Sequence, residues 1–365
     1  MVGTKISGVK LAGIASAVPE RVLTLEDGAR VFGEAEIRKI RESTGVRSRH
    51  VISPGICTSD LCFAAAERLL ADMGWNRDSV DALIFVSQTP DYFVPATSCS
   101  LHARLGLAKH CAAFDVNLGC SGYIYGLWLA SQLMAGGSIR RLLLLVGDTS
   151  SFVSPLDRST AMLFGDAGTV TALERDDNAR PWVFEVGTDG NGQNHLIVPA
   201  GGRRQPSTES TRQRTEREGG NIRSDEDLFM NGAEVFAFTL REVPPLVKSV
   251  LSNADWSLES VDAFVMHQAN RFMLHHLAKK MKLPMDKVVV ALEEYGNTSS
   301  ASVPLAMTHA LANKLKSSEL RLLLAGFGVG WSWGAVALTC GLMVMPELVV
   351  VPNSVLLKEK LGVAL

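Results

Sequence analysis

The stretch Ala113-Phe-Asp-Val-Asn-Leu-Gly-Cys-Ser-Gly-Tyr-Ile-Tyr125 joins an apolar run to a glycine turn and a second apolar run. We predict a strand from Ala112 to Val116 and a helix from about Ser121, which places Cys120 in the turn at the helix N-terminus. A helix N-terminus stabilises a thiolate, and a strand–turn–helix elbow presents its side chain to a cavity. Cys120 is therefore a candidate nucleophile, although a cysteine in such a place is often only a small apolar core residue.

Composition describes a globular chain. Of the 365 residues, 47% are hydrophobic and 20% are charged, and the formal net charge is −2. This balance favours two or more core-forming units and disfavours a nucleic-acid or membrane-surface partner. The six cysteines lack metal-ligand spacing and lie mostly in apolar runs, which predicts no metal site and reduced thiols. Without a signal segment or an apolar run of membrane-spanning length, we expect a soluble, cytoplasmic protein.

Short apolar runs alternate with amphipathic segments, which predicts an α/β protein. The predicted strands include Val9 to Ala15, Ala82–Val86, Leu142 to Val146, Ala263–Met266 and Val288 to Leu292, and the predicted helices include Ser59 to Met73, Pro95 to Leu105 and Gly232 to Leu251. Residues 201–220 are charged and lack large apolar side chains. Residues 201–228 are accordingly predicted to form an exposed, mobile loop, most simply a solvated insertion.

Two segments recur in the same order. Trp75-Asn-Arg-Asp-Ser-Val-Asp-Ala-Leu-Ile-Phe85 returns as Trp256-Ser-Leu-Glu-Ser-Val-Asp-Ala-Phe-Val-Met266, and Arg141-Leu-Leu-Leu-Leu-Val-Gly147 returns as Arg321-Leu-Leu-Leu-Ala-Gly326. Two echoes at one offset of roughly 180 residues predict duplicated α/β halves, each with a buried sheet. We place the halves at residues 1–175 and 229–345, with a connecting segment at 176–228 and an unassigned extension at 346–365.

Two polar residues follow predicted strands of the second half. His267 directly follows Ala263–Met266, and Asn297 lies in a polar turn after Val288 to Leu292. Parallel α/β sheets place their sites at such strand ends. Alone, however, His267 could be a satisfied core histidine and Asn297 a turn or N-cap residue.

Six ordered motifs together resemble the β-ketoacyl-acyl-carrier-protein synthase III family of the thiolase-like superfamily. They are Asp115-Val-Asn-Leu-Gly-Cys-Ser-Gly122, Phe164-Gly-Asp-Ala-Gly168, Asn231-Gly-Ala-Glu-Val-Phe236, His267-Gln-Ala-Asn270, Tyr295-Gly-Asn-Thr-Ser-Ser-Ala-Ser-Val-Pro304 and Gly326-Phe-Gly-Val-Gly-Trp-Ser-Trp-Gly334. The resemblance implies a five-layer αβαβα fold, two duplicated halves and a homodimer.

The resemblance also implies a chemistry. Cys120 would take the acyl group of an acyl thioester, and the backbone N–H groups of Cys120 and Val329 would bind the oxyanion. His267 and Asn297 would donate to the enolate formed when a malonyl thioester loses carbon dioxide. Acyl-CoA and acyl-carrier protein would be partners as thioester substrates, and no metal or other cofactor is implied.

Further positions carry over by motif. Gly232, Phe236 and Asn270 would line the pantetheine tunnel, and Arg158 would meet the CoA nucleotide. Val94 would reach the partner subunit's acyl pocket. A basic face, which we define as Arg271, Lys279, Lys280 and Lys282, would meet an acidic carrier protein, although a plain solvated helix face explains these charges equally well.

One departure concerns the donor. The family often clamps the CoA adenine with a Trp and an Arg before a Thr-Gly pair, whereas this chain has no Trp there and carries Ser43 in the place of the Arg, before Thr44-Gly45. An acyl-carrier protein is thus an alternative donor to CoA.

Other functions remain open on the sequence. One is acyl transfer to an alcohol or amine, or condensation without decarboxylation; another is a non-catalytic partner subunit, which typically lacks the cysteine. The glycines at 326–334 do not open a helix followed by an acidic residue, so nucleotide binding is disfavoured.

Overall fold

The computed structural model describes residues 2–352. Its α-helices are α1 Leu25–Phe32, α2 Glu34–Thr44, α3 Thr58–Met73, α4 Thr97–Arg104, α5 Gly122–Ala135, α6 Glu209–Arg212, α7 Gly232–Asn253, α8 Arg271–Met281, α9 Leu292–Tyr295, α10 Ser302–Ala310 and α11 Ala312–Ser317. Within this part of the chain, no helix has both the length and the apolar character that a membrane crossing requires.

The strands are β1 Val2–Ile6, β2 Val9–Pro19, β3 Val22–Thr24, β4 Ser48–His50, β5 Ala82–Val86, β6 Ala112–Val116, β7 Arg141–Asp148, β8 Ala167–Arg175, β9 Trp182–Thr188, β10 Leu196–Ile197, β11 Thr215–Glu216, β12 Ile222–Arg223, β13 Phe229–Met230, β14 Ala263–Met266, β15 Glu319–Gly328, β16 Ser332–Gly341 and β17 Val349–Val351. The strands predicted at Val9 to Ala15 and at Leu142 to Val146 lie within β2 and β7, and β5, β6 and β14 have the predicted bounds.

Two large sheets share one plan. The first has the order β17-β2-β8-β7-β5-β6, and the second has the order β1-β9-β16-β15-β14. In both, two antiparallel pairings are followed by a parallel one: β2-β8-β7-β5 corresponds to β9-β16-β15-β14. The unassigned extension contributes β17, which pairs in parallel with β2, whereas residues 353–365 lie outside the described residues.

The sequence repeat appears as a repeated structure. The Arg141 guanidinium lies 4.5 Å from the Trp75 ring centroid, and Arg321 lies 5.5 Å from that of Trp256. The Asp81 carboxylate accepts the backbone N–H of Arg141, and the Asp262 carboxylate accepts that of Arg321. Each copy thus fastens the start of one strand to its parallel neighbour, which explains why these residues recur together.

Helices cover both sheets and fill the space between them. Residues of α5 and α10 pack in one core against the facing sides of the two sheets. Helices α3 and α4 cover the outer face of the first sheet, and α7 and α8 cover that of the second. This arrangement is the five-layer αβαβα fold that the resemblance implies.

The prediction of a strand from Val288 to Leu292 is wrong. Only Val288 makes a bridge, to Phe264, and Leu292 already begins α9. The buried Gln268 side chain accepts the N–H of Ala291 and donates to the carbonyl of Val289. A side chain therefore takes the hydrogen bonds that a neighbouring strand would have made.

The charged segment 201–228 is not a plain solvated loop. It contains α6 and the two-stranded sheet β11–β12, and Arg214 pairs with the buried Asp227 at 3.0 Å. Arg223 pairs at 3.1 Å with Asp157, which is fully buried beneath it. Residues 202–210 and 212–216 are exposed, as predicted, whereas Arg214 and Arg223 pair with buried carboxylates and tie the segment to the body of the protein.

Candidate active site

The elbow that carries Cys120 joins β6 to α5, as predicted. Cys120 is 7% exposed, and the neighbouring glycines let other backbone approach it. A Cβ atom added to Gly328 would lie 2.7 Å from the Cys120 Cβ and 3.0 Å from its Sγ. The Gly328–Gly330 loop can therefore lie against the thiol only because it carries no side chain at position 328.

Burial governs the ionisation of this thiol. It raises the pKa of Cys120 to about 11, and the hydroxyl of Ser299 with the N–H groups of Val329 and Cys120 offsets only part of that rise. Burial therefore opposes the stabilisation of a thiolate that the helix N-terminus predicts. The dominant cause is desolvation, which disfavours the charged form. At neutral pH the protein holds a protonated, shielded thiol.

This pKa makes alkylation of Cys120 steeply dependent on pH. Because only the thiolate reacts, its alkylation rate by iodoacetamide should rise about tenfold per pH unit from pH 7 to pH 9. Peptide mass spectrometry can follow Cys120 separately from the exposed Cys99. A Cys120 rate that levels off by pH 8 would show that the pKa is not raised.

Two backbone N–H groups lie close to the candidate nucleophile. Those of Val329 and Cys120 act on the Cys120 sulfur. The Ser332 hydroxyl donates to the Val329 carbonyl at 2.8 Å and lies 2.6 Å from the Ser121 hydroxyl. This buried chain of hydrogen bonds ties the elbow to the glycine loop and fixes the two donors relative to each other.

His267 follows β14 and is 1% exposed. Its Nδ1 lies 2.7 Å from the Ser302 hydroxyl, and its ring packs edge-on against Phe327. Burial lowers the pKa of His267 to about 3, so the imidazole is neutral at neutral pH. A neutral imidazole can donate one N–H, as the sequence interpretation requires.

Asn297 has one half of its amide already engaged. Its Oδ1 accepts the N–H of Ser299 at 2.9 Å, and its backbone bridges to Phe164 of the other half. Among the described residues, Nδ2 makes no hydrogen bond. The turn therefore orients Asn297 so that its two Nδ2 protons remain available to a ligand.

Cys120, Val329 and Asn297 meet in a cavity of about 670 Å³. Cys120, Asn297, Ser299 and Val329 lie in its wall, together with apolar side chains that include Phe152, Val153, Phe164, Leu196 and Leu228. His267 lies behind this wall, near Ser299, whose carbonyl acts on the imidazole. Within the described chain, no group of His, Cys, Asp and Glu residues could hold a metal ion. The cavity thus combines a thiol, neutral donors and an apolar chamber.

Sequence reasoning missed two residues that organise this site. Asp148 ends β7, and its carboxylate accepts from Gln88 N–H of its own half and from the Ser300 hydroxyl of the other half. Burial raises the pKa of Asp148. Ser302 holds His267. The position of Asp148 at the end of a buried strand could have suggested a site residue; Ser302 lay unnoticed inside a quoted motif.

The predicted tunnel and nucleotide residues lie outside this cavity wall. Asn270 caps α8 through its side chain, Phe236 packs against Phe272, and Gly232 has open space where a Cβ would stand. Arg158 is close to Glu36 at 3.9 Å. Their assignments to pantetheine and nucleotide stay predictions.

The segment before α4 is strongly exposed. Phe93 is 93% exposed and Val94 is 84% exposed, yet Phe93 also borders the Cys120 cavity. Next to this segment, β6 is the edge strand of the first sheet. Two adjacent exposed apolar side chains beside an open sheet edge are typical of an interface.

The basic face is less uniform than predicted. Arg271 lies near Glu293 at 3.7 Å and packs over Gly45, whereas Lys280 donates to the carbonyl of Leu240. Lys279 and Lys282 are exposed. The carrier-protein role of these residues stays a prediction.

Comparison with known proteins supports the same family. The models described as 3-oxoacyl-[acyl-carrier-protein] synthase III and as the C-terminal part of that enzyme match residues 114–190 and 251–340. A β-ketoacyl-[acyl-carrier-protein] synthase III of Symbiobacterium thermophilum is 37% identical, over 92% of this chain and 99% of the relative.

Solved structures of the same family are similar to this chain. The crystal structure of a 3-oxoacyl-(acyl-carrier protein) synthase from Burkholderia xenovorans is 45% identical, with a TM-score of 0.91 over 96% of this chain and 99% of that one. The priming β-ketosynthase of the R1128 polyketide pathway is 25% identical, with a TM-score of 0.78 over 93% of this chain and 98% of its own. The chain belongs to the β-ketoacyl-[acyl-carrier-protein] synthase III family.

Proposed function

We propose that this enzyme condenses an acyl primer with a malonyl thioester, through an acyl group held on Cys120, and releases carbon dioxide and a β-ketoacyl thioester. The observation that carries the proposal is the shared cavity, where a buried thiol, two backbone donors and the free Nδ2 of Asn297 meet. Family membership supports the same reaction.

In the first half-reaction, the Cys120 sulfur forms a bond to the acyl carbon of the primer thioester, whose carbon–sulfur bond breaks. The thiol proton leaves with the departing thiol, so no net charge remains in the buried site. The N–H groups of Cys120 and Val329 stabilise the oxyanion between these steps. Because the free thiol is protonated, loss of its proton belongs to this step.

In the second half-reaction, the bond between the malonyl methylene and its carboxylate breaks. The electron pair becomes an enolate, whose oxygen accepts from the neutral His267 and from Asn297 Nδ2. The carbanion then attacks the acyl carbon on Cys120 and expels the thiolate. Neutral donors fit this step, because they stabilise the enolate without transferring a proton to its carbon.

The Ser302 hydroxyl sets which His267 nitrogen carries the proton. It lies 3.4 Å from the Gln268 N–H and 2.7 Å from His267 Nδ1. We propose that this hydroxyl donates to Nδ1 and that Nε2 therefore carries the proton, which the Ser299 carbonyl acting on the imidazole supports. Ser302→Ala should slow decarboxylation about tenfold and leave acyl loading intact, with Ser302→Thr as the conservative control. Nitrogen NMR of His267 should show Nε2–H in the unchanged protein; Nδ1–H there would contradict this role.

The partners follow from the same chemistry. We propose acyl-CoA or acyl-carrier protein as the primer donor and malonyl-carrier protein as the extender, with the basic face docking the carrier. We also propose a homodimer, supported by exposed Phe93 and Val94 beside the open edge of β6. The free cysteines favour the reducing cytoplasm.

Val94→Phe tests the predicted place of Val94 at the floor of the partner's acyl pocket. Valine leaves a deeper pocket than the aromatic residue often found there, and each methylene that a pocket holds is worth about 0.8 kcal/mol. The substitution should shift the ratio of octanoyl to acetyl loading toward acetyl by about tenfold or more, while acetyl loading stays nearly unchanged. An unchanged ratio would remove Val94 from the pocket.

The proposed function is tested by intact-mass analysis after incubation with a panel of acyl-CoAs and acyl-carrier proteins. A single acyl adduct, mapped to Cys120 and lost upon addition of malonyl-carrier protein, is expected. If malonyl-carrier protein leaves the acyl group on Cys120 and an added alcohol or amine removes it, the result would instead support simple acyl transfer.

A further inference from the structure

A second cavity lies on the other side of the wall of the Cys120 cavity. Its volume is about 690 Å³, and Ser150, Val153 and Phe164 border both cavities. Residues of α1, of the paired strands β3 and β4, and of the segment 51–56 also line it. Its lining is largely apolar and includes Leu23, Val31, Phe32, Ile52, Ile56 and Met162. Nothing in the condensation proposed above uses this space.

The second cavity contains a buried cation with few partners. Arg49 lines it and is only 7% exposed. Among residues 2–352 its Nε has no hydrogen-bond partner, and its Nη2 donates to the Met162 sulfur at 3.4 Å. A thioether sulfur is a weak acceptor, and a buried guanidinium without oxygen acceptors is costly.

Nearby carboxylates do not supply the missing contact. Within the described residues, no carboxylate lies within 4.0 Å of the Arg49 guanidinium. Asp166 attracts it from farther away, but the two Asp166 oxygens accept the N–H groups of Ile52 and Ser150, each at 2.6 Å. Asp27 also lines the cavity, but it attracts Arg49 more weakly than Asp166 does, and its carboxylate accepts the backbone N–H of Thr24 in the capping box of α1. The exposed Arg21 adds a second positive charge to a lining that also contains the carboxylates of Asp27 and Asp166.

We propose that this second cavity binds a small organic anion, namely a carboxylate carried on an apolar chain, with the carboxylate on Arg49 and the chain along the apolar wall. A planar guanidinium matches a carboxylate in geometry and charge. The volume lies within the range of small-molecule sites. Arg21 completes the positive end, and the cavity is separate from the thioester chemistry at Cys120.

The first experiment compares octanoate with 1-octanol, which has the same chain length without the charge. Calorimetric titration of the full-length protein should give at least about tenfold tighter binding of octanoate. A photoreactive octanoate, mapped by peptide mass spectrometry, should label residues 21–32 or 51–56. Equal affinities, or labelling confined to residues 193–202 of the Cys120 cavity, would overturn the proposal.

Variants of the arginines then test whether the positive charge of the second cavity binds the carboxylate. Arg49→Gln should weaken octanoate binding at least about tenfold and leave octanol binding unchanged. Arg180→Gln, which removes an exposed arginine paired with Glu319, is the matched control and should bind normally. If Arg49→Gln does not fold, Arg21→Gln decides: severalfold weaker octanoate binding supports the site, and undiminished binding contradicts it.

Discussion

Cys120→Ala is expected to abolish acyl loading and condensation together. The change removes the only sulfur in the wall of the Cys120 cavity, and among the residues described there no other side chain combines nucleophilicity with the two N–H donors. The substitution is small and buried, so the fold should persist. Intact mass spectrometry with a panel of acyl-CoAs measures loading, and product analysis measures condensation.

The matched control is Cys99→Ala, because Cys99 is an exposed cysteine on α4. It should load to the same extent as the unchanged protein. Full acylation of the Cys120→Ala protein at another residue would refute the mechanism.

His267→Ala and Asn297→Ala should separate the two half-reactions. Each still forms some acyl-enzyme, because neither side chain serves as the base for the cysteine. Each should release carbon dioxide from malonyl-carrier protein about 100-fold more slowly, since one enolate donor is lost. Carbon dioxide release is measured separately from acyl loading.

Exposed residues of the same types provide the controls. His275→Ala and Asn313→Ala change surface side chains and should decarboxylate normally. Normal carbon dioxide release by either His267→Ala or Asn297→Ala would show that its side chain is not an enolate donor.

Local sequence patterns predicted the Cys120 elbow and the repeated strand contacts. The elbow around Cys120 depends on neighbouring residues, and the repeated Trp, Asp and Arg residues fasten each strand to its neighbour, so both could be read from the chain. The strand at Val288 failed because the Gln268 side chain replaces a partner strand. The position of the Gln268 side chain depends on a tertiary contact, which the spacing of apolar residues does not encode.

The sequence named candidate residues for the site but not their electrostatics. The sequence indicated Cys120, His267 and Asn297, yet it favoured a thiolate where burial raises the thiol pKa to about 11. Desolvation depends on how two halves close over a residue, and no short motif records it. The roles of Asp148 and Ser302 likewise require knowledge of contacts between distant segments.

The most direct test of decarboxylative condensation on Cys120 is a single turnover of the isolated acyl-enzyme. The protein is loaded with its preferred primer, freed of excess donor and mixed with malonyl-carrier protein. We predict one carbon dioxide and one β-ketoacyl thioester for each acyl group lost from Cys120. Loss of the acyl group without carbon dioxide, or carbon dioxide without an extended product, would contradict the account.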